Sequence, residues 1–130
     1  MKSIIPCVGF ILVDEDQMLV EKRGQHKRVD PGKICVPSGG VEPGESSEDA
    51  CFREVWEEFG VKAQEIQELS VLTYSHQEVD FLITYYVVCS WQGRLEKLEA
   101  DELMWVPINP SYVEILPDKQ AVEILLDMLK

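Results

Sequence analysis

Glu54, Glu57 and Glu58 stand at i, i+3 and i+4 within GGVEPGESSEDACFREVWEEFGV (Gly39–Val61), a glycine-rich lead-in followed by a helical pattern. On an α-helix these offsets are surface neighbours, so the three carboxylates share one face. Like charges so placed destabilise an isolated helix by roughly 0.2–0.5 kcal/mol per pair. A divalent cation reverses the sign of that interaction, because hard ions such as Mg²⁺, with Mn²⁺ as a substitute, take oxygen ligands. A solvated acidic face is the alternative reading of the same residues. A glycine-rich loop entering a helix also lets backbone groups approach a metal or phosphate closely. With acidic residues along the helix, any phosphate bound there would be held through cations.

The elements that must position these glutamates follow from local pattern. Ser46 or Ser47 N-caps the helix, Glu48 and Asp49 favour its first turn, and Ala50, Val55 and Phe59 supply an apolar stripe ended by Gly60. Upstream, Ile4 to Val13 and Met18 to Glu21 read as a strand pair around the acidic turn Asp14–Gln17. A basic loop then runs to the turn Asp30-Pro31-Gly32, and Ile34 to Val36 is a short strand. Pro37-Ser38-Gly39-Gly40 and Pro43-Gly44 read as breaks in regular structure. Downstream, Ile66 to Tyr74, Phe81 to Trp91 and Leu103 to Val106 are rich in strand formers, with a turn at Gln92-Gly93 and a stop at Pro107. Asp118 is expected to cap a C-terminal helix that buries Val122, Leu125, Leu126 and Leu129. The order strands, helix, strands, helix predicts an α+β protein, a mixed β-sheet sandwiched between helices in α/β/α layers, with residues 1–130 as one domain.

The chain has 130 residues, 45% of them apolar, and a net charge of −12, which suits a globular core and argues against a nucleic-acid polymer as partner. Five of the twelve Lys and Arg residues (Lys22, Arg23, Lys27, Arg28, Lys33) nevertheless crowd one segment, so a small anionic ligand fits better. Four scattered cysteines without C-x-x-C spacing read as reduced thiols in a cytoplasmic protein. Acidic residues follow the N-terminal apolar run too early for a signal peptide, and no run approaches membrane-spanning length. Monomer and homodimer are equally compatible with these features.

Gly39, Glu45, Arg53, Glu54, Val55, Glu57, Glu58, Gly60 and Val61 fill every defined position of the Nudix signature G-x5-E-x7-R-E-U-x-E-E-x-G-U, where U is aliphatic. The chain therefore resembles a Nudix hydrolase. The resemblance implies the Nudix fold and Mg²⁺-dependent cleavage of a phosphoanhydride bond, with Glu54, Glu57 and Glu58 as metal ligands. Glu54 is also a candidate for orienting or deprotonating water. Glu45 and Arg53 are expected to pair and fix the loop on the helix; an ordinary i,i+4 pair of Arg53 with Glu57 is the plainer reading. The carbonyl before Gly39, here that of Ser38, is a further expected metal ligand. Relatives commonly have Gly at that place, so a left-handed backbone at Ser38 would carry strain.

Features outside the box resemble the small MutT-type branch. Glu99 matches the extra loop glutamate of those enzymes and is the favoured additional ligand or general base, ahead of Glu102 and Asp101. Lys22 and Arg23 end the second strand where such enzymes contact phosphate or sugar. Asp118 stands where they carry an Asn or Asp that reads the purine edge, although a plain helix cap accounts for it as well. Tyr85, Tyr86, Trp91 and Trp105 read as packing residues. The substrate implied is a small-molecule nucleotide: a (deoxy)nucleoside triphosphate, of oxidised purine or pyrimidine type, cleaved to monophosphate and pyrophosphate. ADP-ribose or a nucleotide sugar is the alternative within the same chemistry. A non-catalytic nucleotide-sensing module is the alternative outside it, and the intact box glutamates speak against that.

Overall fold

In the computed structural model, residues 2–98, Ala100 and 102–130 are described. Glu99 and Asp101, two of the expected loop carboxylates, lie outside them. The elements run β1 (Ser3–Asp14), β2 (Gln17–Lys22), β3 (Ile34–Cys35), β4 (Ser38–Gly40), α1 (Ser47–Phe59), β5 (Lys62–His76), β6 (Val79–Gln92), β7 (Glu102–Pro107), a 3-10 turn (Pro110–Tyr112) and α2 (Leu116–Met128).

The sheet is mixed, in the order β3-β2-β1-β6-β5, with β4 paired to β1 and β7 to β2. β1 is its hub. It runs parallel to β6 from Ser3 to Leu12, while every other pairing is antiparallel. On its other side β1 pairs first with β4 (Cys7 to Gly9) and then with β2 (Val13 and Asp14), so the sheet forks along this strand.

Period-two alternation sends successive residues of β1 and β6 to opposite faces. Val8, Phe10, Leu12, Tyr86 and Val88 pack with Ala50, Cys51, Val55 and Phe59 of α1, and Phe10 meets Phe59 edge to face at 5.9 Å. On the other face Ile11, Ile83, Tyr85 and Val87 pack with Ala121, Val122 and Leu125 of α2. Fully burying one such apolar side chain contributes roughly 1.5–3 kcal/mol, so each helix is held mainly by its stripe. The expected mixed sheet between two helices is the observed architecture.

Several local expectations are corrected. The Ser38–Gly40 stretch is a strand, because β1 offers it a ladder that overrides the weak strand propensity of Gly and Ser. Ser38 is not among the residues with positive φ, so no strain attaches to it. β5 extends well beyond Ile66–Tyr74 on both sides, since its polar ends pair with β6 regardless of composition. Asp118 does not cap α2: the cap position is Ile115, with no side-chain hydrogen bond, and Pro117 sits in the first turn. On that helix Ala121 joins the core, whereas Leu129, just beyond its last turn, is exposed. Trp91 and Trp105 stack at 6.3 Å as packing residues. Among the described residues no helix is long and apolar enough to cross a membrane.

Candidate active site

Ser46 caps α1 by accepting a hydrogen bond from the Asp49 N–H at 3.0 Å, and Gly60 (φ 68°) closes it with its N–H on the Trp56 carbonyl at 2.8 Å. Between these caps the only basic residue is Arg53, against Glu48, Asp49, Glu54, Glu57 and Glu58. The three box glutamates lie in the last two turns, near the negative end of the helix dipole, with no basic residue in the last turn. Glu54 and Glu58 are buried, while the Glu57 side chain is 43% exposed. A helical face read as uniform is therefore split by depth: two glutamates sit inside and one at the rim.

Arg53 engages every N–H donor of its guanidinium. Nε donates to Glu45 Oε2 at 2.8 Å, and Nη2 to Glu45 Oε1 at 2.9 Å and to the Gly40 carbonyl at 2.8 Å. Nη1 donates to Glu54 Oε1 and Glu57 Oε2, both at 2.9 Å. Glu45 in turn accepts the Glu42 N–H at 3.0 Å. The guanidinium thus ties the loop after β4, β4 itself and the helix together, and the i,i+4 contact with Glu57 is one strand of that web. Hydrogen bonds from Arg53 hold the Glu45 carboxyl down at about 2, and the same pair raises the already high pKa of Arg53.

Gly39 lies against Glu54 so closely that a Cβ at that position would fall within the Glu54 carboxylate. This contact explains the glycine physically and seats a buried carboxylate beside the backbone of β4. The donor set is all oxygen: Glu54, Glu57, Glu58 and the Ser38 carbonyl. That is the chemistry a hard divalent cation requires. The carboxylates as oriented, with Glu54 and Glu57 both turned to Arg53, do not form a gathered trio; among the described residues no such metal-ligating group is present.

Beside the box, a cavity of about 240 Å³ opens at the fork of the sheet. Its lining includes Ser38, Gly39 and Glu58, the cations Arg23 and Lys27, and Asp118 with Tyr85. Asp118 is 3% exposed. Its Oδ1 accepts the Tyr85 hydroxyl at 2.6 Å and its Oδ2 the Val36 N–H at 2.8 Å. Burial pushes the Asp118 carboxyl up to about 7, against the lowering effect of those two hydrogen bonds. Burial also raises the Tyr85 hydroxyl, which stays a donor. Cys7 and Cys35 line the cavity as well, but burial pushes the Cys7 thiol up to about 11 and Cys35 higher still, so neither is a thiolate nucleophile.

Of the expected substrate contacts, Arg23 lines the cavity and Lys22 does not. Strand alternation turns Lys22 away from the side that Glu21 and Arg23 share, and it pairs instead across the ladder with Glu102. Glu102 is exposed and also absent from the lining. Ala100, next to Glu99 in the sequence, does line the cavity. Sequence reading missed Glu21, a buried carboxylate in the lining, and the polar role of Tyr85. The signal for Glu21 was a lone charge closing the apolar run Met18-Leu19-Val20; for Tyr85 there was none.

Comparison with known proteins agrees with this geometry. Residues 4–122 match the NUDIX domain family. Nudix hydrolase 3 of Caenorhabditis elegans is 35% identical over 117 residues, an alignment covering 84% of this chain but 48% of that protein. The chain thus spans about half the length of that relative. The 8-oxo-dGTP diphosphatase of Escherichia coli is 25% identical over 108 residues, covering 83% of each. The MutT protein of Methanosarcina mazei superposes with a TM-score of 0.86 at 23% identity, over 99% of this chain and 97% of that one, which shows a shared fold. With the full signature on α1 and its loop, this chain belongs to the NUDIX domain family.

Proposed function

We propose that the protein hydrolyses a (deoxy)nucleoside triphosphate to the monophosphate and pyrophosphate. The supporting observation is that one cavity is shared by three kinds of group: Ser38, Gly39 and Glu58 of the box, the cations Arg23 and Lys27, and the buried carboxylate Asp118. That set matches the three parts of such a substrate: anhydride, phosphates and base. Glu54, Glu57 and Glu58, with the Ser38 carbonyl, would hold Mg²⁺, which when bound supplies charge neutralisation at the phosphates.

In this reading Arg53 and Glu45 keep the glutamate platform rigid and Gly39 admits Glu54 to it. Water attacks an internal phosphorus, a new P–O bond forms, the bridging P–O bond breaks, and pyrophosphate leaves. Glu54, or Glu99 as the sequence resemblance suggests, accepts the water proton. Arg23 and Lys27 stabilise the charge that builds on the phosphate oxygens. Asp118, whose oxygens already accept from Tyr85 and Val36, presents its remaining lone pairs to N–H donors of the base. Four free thiols fit a cytoplasmic setting.

The test is a substrate panel with Mg²⁺: canonical and oxidised purine and pyrimidine triphosphates beside ADP-ribose and nucleotide sugars. Release of pyrophosphate from triphosphates is expected. Turnover of ADP-ribose with inert triphosphates would transfer the same chemistry to the other substrate class, and binding without turnover would mark a sensing module.

A further inference from the structure

The chain leaves β2 at Lys22 and returns at β3 through a loop that carries Arg23, Lys27, Arg28 and Lys33 but a single carboxylate, Asp30. Its base is closed by backbone hydrogen bonds, Arg23 N–H to the Lys33 carbonyl at 2.9 Å and Gly32 N–H to the Arg23 carbonyl at 3.0 Å. Arg23 commits its Nε to the Val29 carbonyl at 2.9 Å. Its Nη nitrogens, and Lys27 Nζ, make no hydrogen bond among the described residues, although both side chains belong to the cavity wall.

Near its return to β3 this loop is tied to the edge strand β5. Tyr74, on the edge strand β5, donates its hydroxyl to Asp30, at 2.9 Å from Oδ2 and 3.2 Å from Oδ1. Asp30 has φ 51°, the left-handed conformation that Asp tolerates better than most residues, and the turn Pro31-Gly32 follows it. Tyr74 pairs with Phe81 of β6, and both line the cavity together with Arg23, Lys27 and Asp30. The hydroxyl–carboxylate bond therefore joins the loop to β5, 44 residues away in sequence.

The four loop cations repel one another, and the bonds at the loop's base and from Arg23 to Val29 are internal to it, so they leave open how far the loop stands from β5. The contact from Tyr74 does fix it. Resting on the phosphoanhydride reading of this cavity, we propose that Tyr74 is a positioning residue for substrate binding: by clasping Asp30 it holds Arg23 and Lys27 where the substrate's phosphates lie. Such pre-organisation lowers the ordering cost of binding without altering the cleavage step. Tyr74 donates to Asp30 and lies outside the Gly39–Val61 segment, so the clasp is expected to act on affinity. Burial and the bond to Asp30 push the Tyr74 hydroxyl up to about 12, which keeps it a donor throughout the working pH range.

The experiment compares wild type with Tyr74→Phe, Asp30→Ala and Asp30→Asn, each checked by thermal melting. Tyr74→Phe and Asp30→Ala are expected to raise KM about tenfold with kcat within about twofold, as loss of a hydrogen bond to a charged group implies. Inhibition by inorganic tripolyphosphate should weaken by the same factor, and binding of the uncharged nucleoside should not change. Asp30→Asn, which keeps an oxygen acceptor, should restore most of the affinity. A folded Tyr74→Phe with unchanged KM and unchanged tripolyphosphate inhibition overturns the proposal, and so does a parallel fall of kcat and stability with no change in KM. Should the wild type cleave nothing in the panel, the functional reading fails separately, and calorimetric binding of tripolyphosphate with Mg²⁺ still decides whether the clasp sets anion affinity.

Discussion

The carboxylate of Glu54 occupies the space that a side chain on residue 39 would take. A methyl group at Gly39 must displace either Glu54 or β4, whereas one at Gly40 meets nothing within 4 Å. Gly39→Ala is therefore expected to lower kcat at least about 100-fold, the scale of losing one organised charge-stabilising group. Gly40→Ala should retain activity within a few-fold, because the Gly40 carbonyl that receives Arg53 remains. Steady-state kinetics of the two variants side by side is the check; equal losses would mean that the strand, rather than the contact with Glu54, is what the alanine disturbs.

Arg53 and Glu45 predict an acid-side signature. The folded-state pKa of Glu45 is lowered to about 2, and an unfolded glutamate titrates near about 4.3. The stabilisation from the pair is thus fully present above about 4.3 and is lost as pH falls toward 2. The Tm difference between wild type and Glu45→Gln should be largest near pH 6 and shrink steadily below pH 4. A difference constant from pH 6 to 2 would show that the pair contributes shape and no linked charge.

Asp118 predicts the opposite slope. Its folded pKa is raised to about 7 from an unfolded value near about 3.9, so its favourable contribution is full below that lower value and is lost as pH rises through 7. Asp118→Asn should abolish this part of the decline in Tm between pH 5 and 8. The amide has one acceptor oxygen for two donors, Tyr85 and Val36, and so also carries a pH-independent penalty of roughly 1–3 kcal/mol. Parallel melting curves for the two proteins across that range would remove Asp118 from the titration.

Removal of divalent metal should stop turnover without unfolding the protein, since both apolar clusters are built without it. Added Mg²⁺ should raise the wild-type Tm by mass action, about 2.7 kcal/mol of stability at one hundred times its Kd. Glu57→Gln, at the exposed rim of the platform, should need about tenfold more Mg²⁺ for the same shift and should lose nearly all activity. If that variant showed the wild-type Mg²⁺ dependence of both Tm and rate, Glu57 would not be a ligand.

Turnover itself should rise toward alkaline pH. Carboxylate ligands bind metal only when ionised, so protons compete with the metal at lower pH. A pH–rate profile that stays flat from pH 6 to 9 at saturating Mg²⁺ would count against this.

The helix from Ser47 to Phe59, its cap at Ser46 and stop at Gly60, and the strand runs Ile4–Val13 and Phe81–Trp91 were all legible in the chain, because each rests on residues close together in sequence. The identities of the candidate metal ligands were legible for the same reason: Glu54, Glu57 and Glu58 share a helix, and helical geometry is local. The tertiary structure alone decided which of them lie deep, because burial depends on what packs above the helix. It alone brought Asp118 to Val36, 82 residues away, and to Tyr85, 33 away, turning an expected cap into a buried acceptor. It made a strand of Ser38–Gly40, whose composition signals a break, by supplying a partner in β1. It joined Tyr74 to Asp30, 44 residues away, beside a cavity that no local pattern announces. Spacing along a chain determines periodicity and chemistry, whereas which walls face one another is settled by strand order and register, and those are chosen by the whole core at once.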